Sequence, residues 1–261
     1  MIKVRKEREN RMSIVFEISE INKLISDIQQ YYINEFNEEM INDVRVLCSN
    51  NMREDATLFG APEGKVGYGT YIMPNCVTDK SIALITESHF YADNCPAIGT
   101  IFHELTHASD FNKFCHEYCG DDWKKVCKHK LYTIFSLWSE FHAKLIQIIY
   151  YRKYMAVVDS SYKYNKCLIA KELTNYMYET YCNELEKSYI EDSKLSDLFS
   201  YFGRYCACEL YAPEYFKDGC KFSPCVFKYR SDAKEIYHLL FEGQTYESAK
   251  ENFEKLYDIL N

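Results

Sequence analysis

The sequence predicts an α+β protein: a small N-terminal lobe, about residues 13–112, with a short mixed sheet, then an all-helical C-terminal lobe, about 113–261. Three observations carry this. Short β-branched or aromatic runs bounded by Asn, Gly and Pro occur only between residues 43 and 88. From Asn94 onward the apolar spacing is helical almost to the end. The chain holds only 9 Gly and 5 Pro in 261 residues, so turns are few and helices long. No repeat, low-complexity tract or linker divides it, and the two lobes are read as one domain, 1–261.

The N-terminal stretch "KVRKEREN" is basic and reads as a solvated, frayed tail. Behind it, "ISEINKLISDIQQYYINEF" (18–36) places Ile21, Leu24, Ile25, Ile28 and Tyr32 on one helical face, with Ser19 as N-cap. "DVRVLCS" (43–49), "VGYGTYIM" (66–73) and "SIALITES" (81–88) read as strands. Asn94 before Cys95-Pro96 starts the next helix. The stretch 121–158, opened by Asp121 and Asp122, is one long helix or two abutting ones. Helices follow over 166–190 and 193–210, then a Gly/Pro/Cys-rich loop at about 212–226, and two short helices close the chain.

Composition bounds the function. A net charge of −8 disfavours nucleic acid or an anionic membrane as the main partner. No apolar run approaches the roughly 18–20 residues of a membrane span, and no h-region follows the N-terminal charges. The expected location is therefore the cytoplasm, where most of the 12 scattered cysteines are reduced thiols.

Chemistry concentrates in "TIFHELTHASDF" (100–111). On a helix, His103 and His107 project within about 40° of each other, one turn apart, so that two imidazoles reach one tetrahedral zinc. Glu104, about 100° round from His103, is placed to accept a proton from a water without ligating the metal. Ile98, Ile101, Phe102, Leu105 and Ala108 fall on the opposite arc, which predicts one face packed on the lobe and the other facing a cleft.

A catalytic zinc needs a third protein ligand, with the fourth position left to water. Glu140 in "LWSEFHAKL" is the leading candidate: its helix is apolar on most sides, and the stripe Ser136, Glu140, Ala143, Lys144, Gln147, Tyr151 interrupts that pattern. The bland alternative is a solvated stripe in which Glu140 pairs with Lys144. Asp110 is the runner-up ligand, better placed to orient an imidazole from behind. His142 reads as a packed histidine or cleft donor, and His116 and Glu87 are weaker candidates. Cys115, Cys119, Cys127 and His129, and separately Cys206, Cys208, Cys220 and Cys225, have spacings a structural zinc accepts, but buried thiols explain both groups.

"HELTH" followed by a helix carrying "SEFHAK" resembles the zincin metallopeptidases, in particular the glutamate-zincins. The resemblance covers roughly residues 40–150 and rests on these two short motifs. It implies a zincin-like fold in which a β-containing N-lobe and an active-site helix precede a helical C-lobe. It implies one catalytic Zn2+ held by His103, His107 and Glu140, with Glu104 as general base, and a peptide or protein as substrate. The acidic residue often found four positions after the third ligand is Lys144 here. The family's edge strand, just before the active-site helix, pairs with extended substrate, and "SIALITES" is expected in that role. The rival readings are a zinc amidase acting on a non-peptide substrate and a zincin-like binding or regulatory module with little turnover.

Overall fold

The computed structural model describes residues 4–5, 13–14, 18–61, 67–74, 79–92, 95–159, 195–211 and 231–261. The helix expected over 166–190 and the loop at 212–226 lie outside them, as do Asn94, Cys220 and Cys225. The described chain is mixed α and β, mostly helical, with a small three-stranded mixed sheet. No helix among the described residues is long and apolar enough to cross a membrane. Contacts divide the chain into two compact units, Met1–His129 and Lys130–Asn261. Here the first unit keeps the whole motif helix, which the sequence reading cut at residue 112.

In the first unit, β1 (Val4–Arg5) and β2 (Ser13–Ile14) form a two-residue antiparallel pair, with Val4 opposite Ile14, where a frayed tail was expected. Helix α1 (Ile18–Phe36) buries Ile21, Leu24, Ile25, Ile28 and Tyr32, the five positions that its periodicity singles out. The helix begins at Ile18, so Ser19 lies in its first turn and not at its cap. A 3-10 turn (Glu39–Asp43) leads into the sheet, held by Gln29 Nε2, which donates to Ile41 O at 2.5 Å and Val44 O at 3.1 Å.

The sheet comprises β3 (Arg45–Ser49), β4 (Gly69–Ile72) and β5 (Ile82–Thr86) in the order β3-β5-β4. β5 runs parallel to β3 and antiparallel to β4. "SIALITES" is therefore the central strand, which corrects its assignment as the edge that receives substrate. Its four buried residues Ile82–Ile85 explain why: a strand apolar on both faces is most stable when covered on both. One face packs Ile72, Ile82 and Leu84 on Ala56 of α2 (Met52–Leu58). This short helix, unforeseen in the sequence, starts at Asn51, whose side chain accepts from Glu54 N. The other face, carrying Gly69, Tyr71, Ala83 and Ile85, lies against the motif helix.

After the single turn α3 (Ser88–Tyr91), helix α4 (Ala97–Cys119) runs through the unit and ends at Gly120 in the left-handed region, φ 60°. Phe102 is fully buried and anchors α4 to α1, its ring 6.0 Å from Tyr31 and 6.3 Å from Tyr32. Residues 121–158 form two helices: α5 (Trp123–Val126), capped by Asp122, and α6 (Tyr132–Val158).

In the second unit α6 packs on α7 (Leu195–Tyr211) so closely that a Cβ at Gly203 would overlap Phe141 O and lie 2.9 Å from Lys144 Cβ. The chain closes with α8 (Ala233–Glu242), α9 (Tyr246–Ala249), a 3-10 turn (Lys250–Asn252) and α10 (Phe253–Leu260). Trp138 centres this core, tilted against Phe135 and edge-on to Tyr246 and Phe253, with its indole N–H donating to Gly243 O at 2.8 Å.

Truncating the Phe102 anchor tests this account of the first unit. Phe102→Ala should cost about 3–5 kcal/mol, read as a lower denaturation midpoint by circular dichroism. An unchanged midpoint would contradict the packing described.

Candidate metal and proton-transfer site

The motif occupies the middle of α4, so neither helix end disturbs its spacing. His103 Nε2 and His107 Nε2 face each other at 3.1 Å, with the rings nearly perpendicular at 89°. Two nitrogens on one tetrahedral zinc at 2.0–2.1 Å lie about 3.3 Å apart, so the imidazoles already stand near the separation an ion requires. His107 is walled by Tyr71 of β4 and Phe111, one turn further along α4. The Tyr71 hydroxyl lies 3.0 Å from Ser81 Oγ, and burial raises its pKa, so it remains a protonated donor.

Glu104 is buried and set against the backbone of β4. A Cβ on Gly69 would overlap Glu104 Oε1 and stand 2.5 Å from Thr100 Cγ2. Only glycine allows the strand this approach. Glu140, on the half-buried stripe of α6, completes a donor set: one ligand atom from each of His103, His107 and Glu140 lies within 4.8 Å of the others. Two imidazole nitrogens and one carboxylate oxygen suit a zinc ion with a fourth position left for water.

This grouping includes none of the other candidates. Asp110 is fully buried near Tyr32 and Tyr71, whose phenol pKa values its charge helps to raise after burial itself. His116 pairs with Asp121 on the surface at 3.0 Å. His142 stacks on Trp138, the packed role foreseen for it. Glu87 accepts from the Tyr91 hydroxyl. Lys144 donates to Gln147 at 2.6 Å.

Among the described residues, Cys115, Cys119, Cys127 and His129 form no metal-ligating group, and His129 lies against Phe114 and Tyr118 instead. The described cysteines are free thiols. Burial pushes Cys115 up to about 11 and Cys95 and Cys208 up to about 12, which disfavours a thiolate at each.

Two expectations change. The motif turn is enclosed and not one-faced: Thr106, Ser109 and Asp110 are buried with the apolar arc. Thr106 makes this tolerable by donating to Phe102 O at 2.8 Å and accepting from Tyr32 OH at 3.3 Å. The edge beside α4 belongs to β4. Tyr68 O accepts from Thr86 N, so residues 68, 70 and 72 bond to β5, while the backbone groups of Gly69 and Tyr71 point away from it. Sequence reasoning passed over Gly69, Tyr71, Thr100 and His89. A glycine inside the strand pattern "GYGTY" was the available signal for the first.

Set beside known protein families, curated proteins and solved structures, the chain matches none. Its own geometry defines a mixed α/β protein in which, among the described residues, His103, His107 and Glu140 cluster so that they could hold a metal ion.

Gly69→Ala should lower stability by about 1–3 kcal/mol through overpacking. The loss should shrink in a Glu104→Ala background, because the two sites share one space. Additive losses in chemical denaturation would contradict the contact.

Proposed function

We propose that the chain is a zinc-dependent peptidase with a zincin-like fold of the glutamate-zincin type. The observation that carries this reading is the apposition of two imidazole nitrogens at 3.1 Å on a helix whose next carboxylate is pressed against a sheet-edge strand. His103 and His107 hold the ion through Nε2, and Glu140 supplies the third ligand. A zinc ion held by this set polarises a carbonyl as a Lewis acid and lowers the pKa of water to about 7.

Glu104 acts as general base. Its carboxylate takes a proton from the attacking water as the oxygen adds to the scissile carbonyl, then delivers that proton to the leaving amine. The carboxylate packs against the β4 backbone at Gly69, near the Thr100 methyl group. The outward N–H and C=O groups of Gly69 and Tyr71 bind an extended peptide as an added strand. That open edge, beside Glu104, favours a peptide over a compact amide substrate.

Purified protein should contain close to one zinc per chain by elemental analysis, lost in His103→Ala plus His107→Ala. Glu140→Ala should weaken zinc binding steeply, while Asp110→Ala costs about 10–100-fold. Zinc unchanged by the double substitution would place the metal elsewhere. Wild-type zinc affinity in Glu140→Ala would remove that residue from the ligand set.

Glu104→Gln separates enzyme from binding module. Zinc content and fold should persist, while peptide hydrolysis slows by at least about 10²–10⁴-fold. Equal cleavage by both forms would rule out Glu104 as the base.

A further inference from the structure

Tyr68 immediately precedes β4, and its ring stands 68% exposed with one face stacked on His89, centroids 4.3 Å apart and planes at 23°. Its backbone is pinned at the same point, since Tyr68 O accepts from Thr86 N at 2.9 Å. His89 is held in turn by α4. Its Nδ1 lies 3.1 Å from Thr100 Oγ1, and that hydroxyl donates to Pro96 O at 3.1 Å. The hydroxyl proton is thereby committed, so Nδ1 carries the proton that bonds to Thr100. Burial lowers the His89 pKa, which keeps the imidazole neutral. The Tyr68 ring thus rests on His89, and His89 is tied to the helix that carries Glu104.

This ring stands where a strand added along β4 would pass. In paired strands, residues directly opposite each other hold their Cβ atoms about 4.5–5.5 Å apart, within reach of an aromatic ring. A peptide residue opposite Tyr68 therefore brings its side chain to that ring, next to the residue that faces Gly69 and Glu104.

Three properties of the ring select what it takes. Much of its apolar area is in water, so covering it is favourable. His89 sets its plane before anything binds, so a second ring packs on it with little loss of freedom. The neutral imidazole beneath it supplies no charge to answer an ionic side chain. An acidic side chain would also approach Glu104 as a like charge. An aliphatic one gains from buried area alone, whereas an aromatic one gains from stacking as well.

We infer that Tyr68, supported by His89, forms a specificity subsite for an aromatic side chain, phenylalanine, tyrosine or tryptophan, of a peptide bound along β4. The subsite rests on the peptidase reading for the peptide that occupies it.

The test measures binding as well as turnover. Fluorescein-labelled alanine-based peptides carrying one phenylalanine, leucine, arginine or glutamate at successive positions are titrated by anisotropy into zinc-loaded, full-length Glu104→Gln protein. At one position phenylalanine should bind about tenfold more tightly than alanine and about threefold more tightly than leucine or arginine, with glutamate weakest. Tyr68→Ala should remove most of the phenylalanine preference at that position. Tyr68→Phe, which keeps the ring face, should retain it. His89→Ala, which takes away the support, should cut it about threefold.

Equal binding of all the peptides, a preference for leucine, arginine or glutamate, no binding of any peptide, or a phenylalanine preference that survives both Tyr68→Ala and His89→Ala would each overturn the subsite. Phenylalanine-selective binding that depends on Tyr68, with no cleavage by the wild type, would leave the subsite standing and defeat the peptidase reading. Cleavage without phenylalanine preference would do the reverse.

Discussion

At Gly69 the backbone of β4 comes so near α4 that no side chain fits between the strand and the Glu104 carboxylate. The arrangement of the site follows from that approach. It sets the register of strand on helix, bringing Gly69 over Thr100 and Glu104 and Tyr71 over His107 and Phe111. It sets the Glu104 carboxylate against the strand backbone. It also places the outward backbone groups of β4 next to the one buried turn that carries His, Glu and His.

Burying such a turn is costly unless its polar groups find partners. Thr106 bonds to its own helix and to Tyr32, while α1 and the sheet enclose the apolar positions. The enclosure has a chemical consequence. A carboxylate and two imidazoles held with little access to water interact more strongly with an ion and with each other than they would on an exposed helix. Tyr71 and Phe111 flank the His107 ring, whose Nε2 stands 3.1 Å from that of His103.

Much of this was legible in the residues, and the divide between what was and what was not is physical. Helices α1, α4, α6 and α7 and all three strands of the sheet are long or strongly patterned, and their apolar spacing exposes them. Helix α2 has no such stripe, because four of its seven residues, "MREDATL", are Arg, Glu, Asp and Thr and its start depends on the Asn51 cap. The position of β5 at the centre of the sheet depends on which strands pair across distance, a property no local pattern carries. The closeness of His103 and His107, one turn apart, and the place of Glu104 next to them on the helix follow from helical geometry alone. Gly69 and His89 do not, because their importance lies in what the fold sets against them.

The nature of the metal's donor atoms is the most direct test of the central claim. X-ray absorption at the zinc edge of the purified protein should show only nitrogen and oxygen donors at about 2.0–2.1 Å, with imidazole scattering from His103 and His107. A sulfur shell at about 2.3 Å would move the metal to the cysteines and contradict the account.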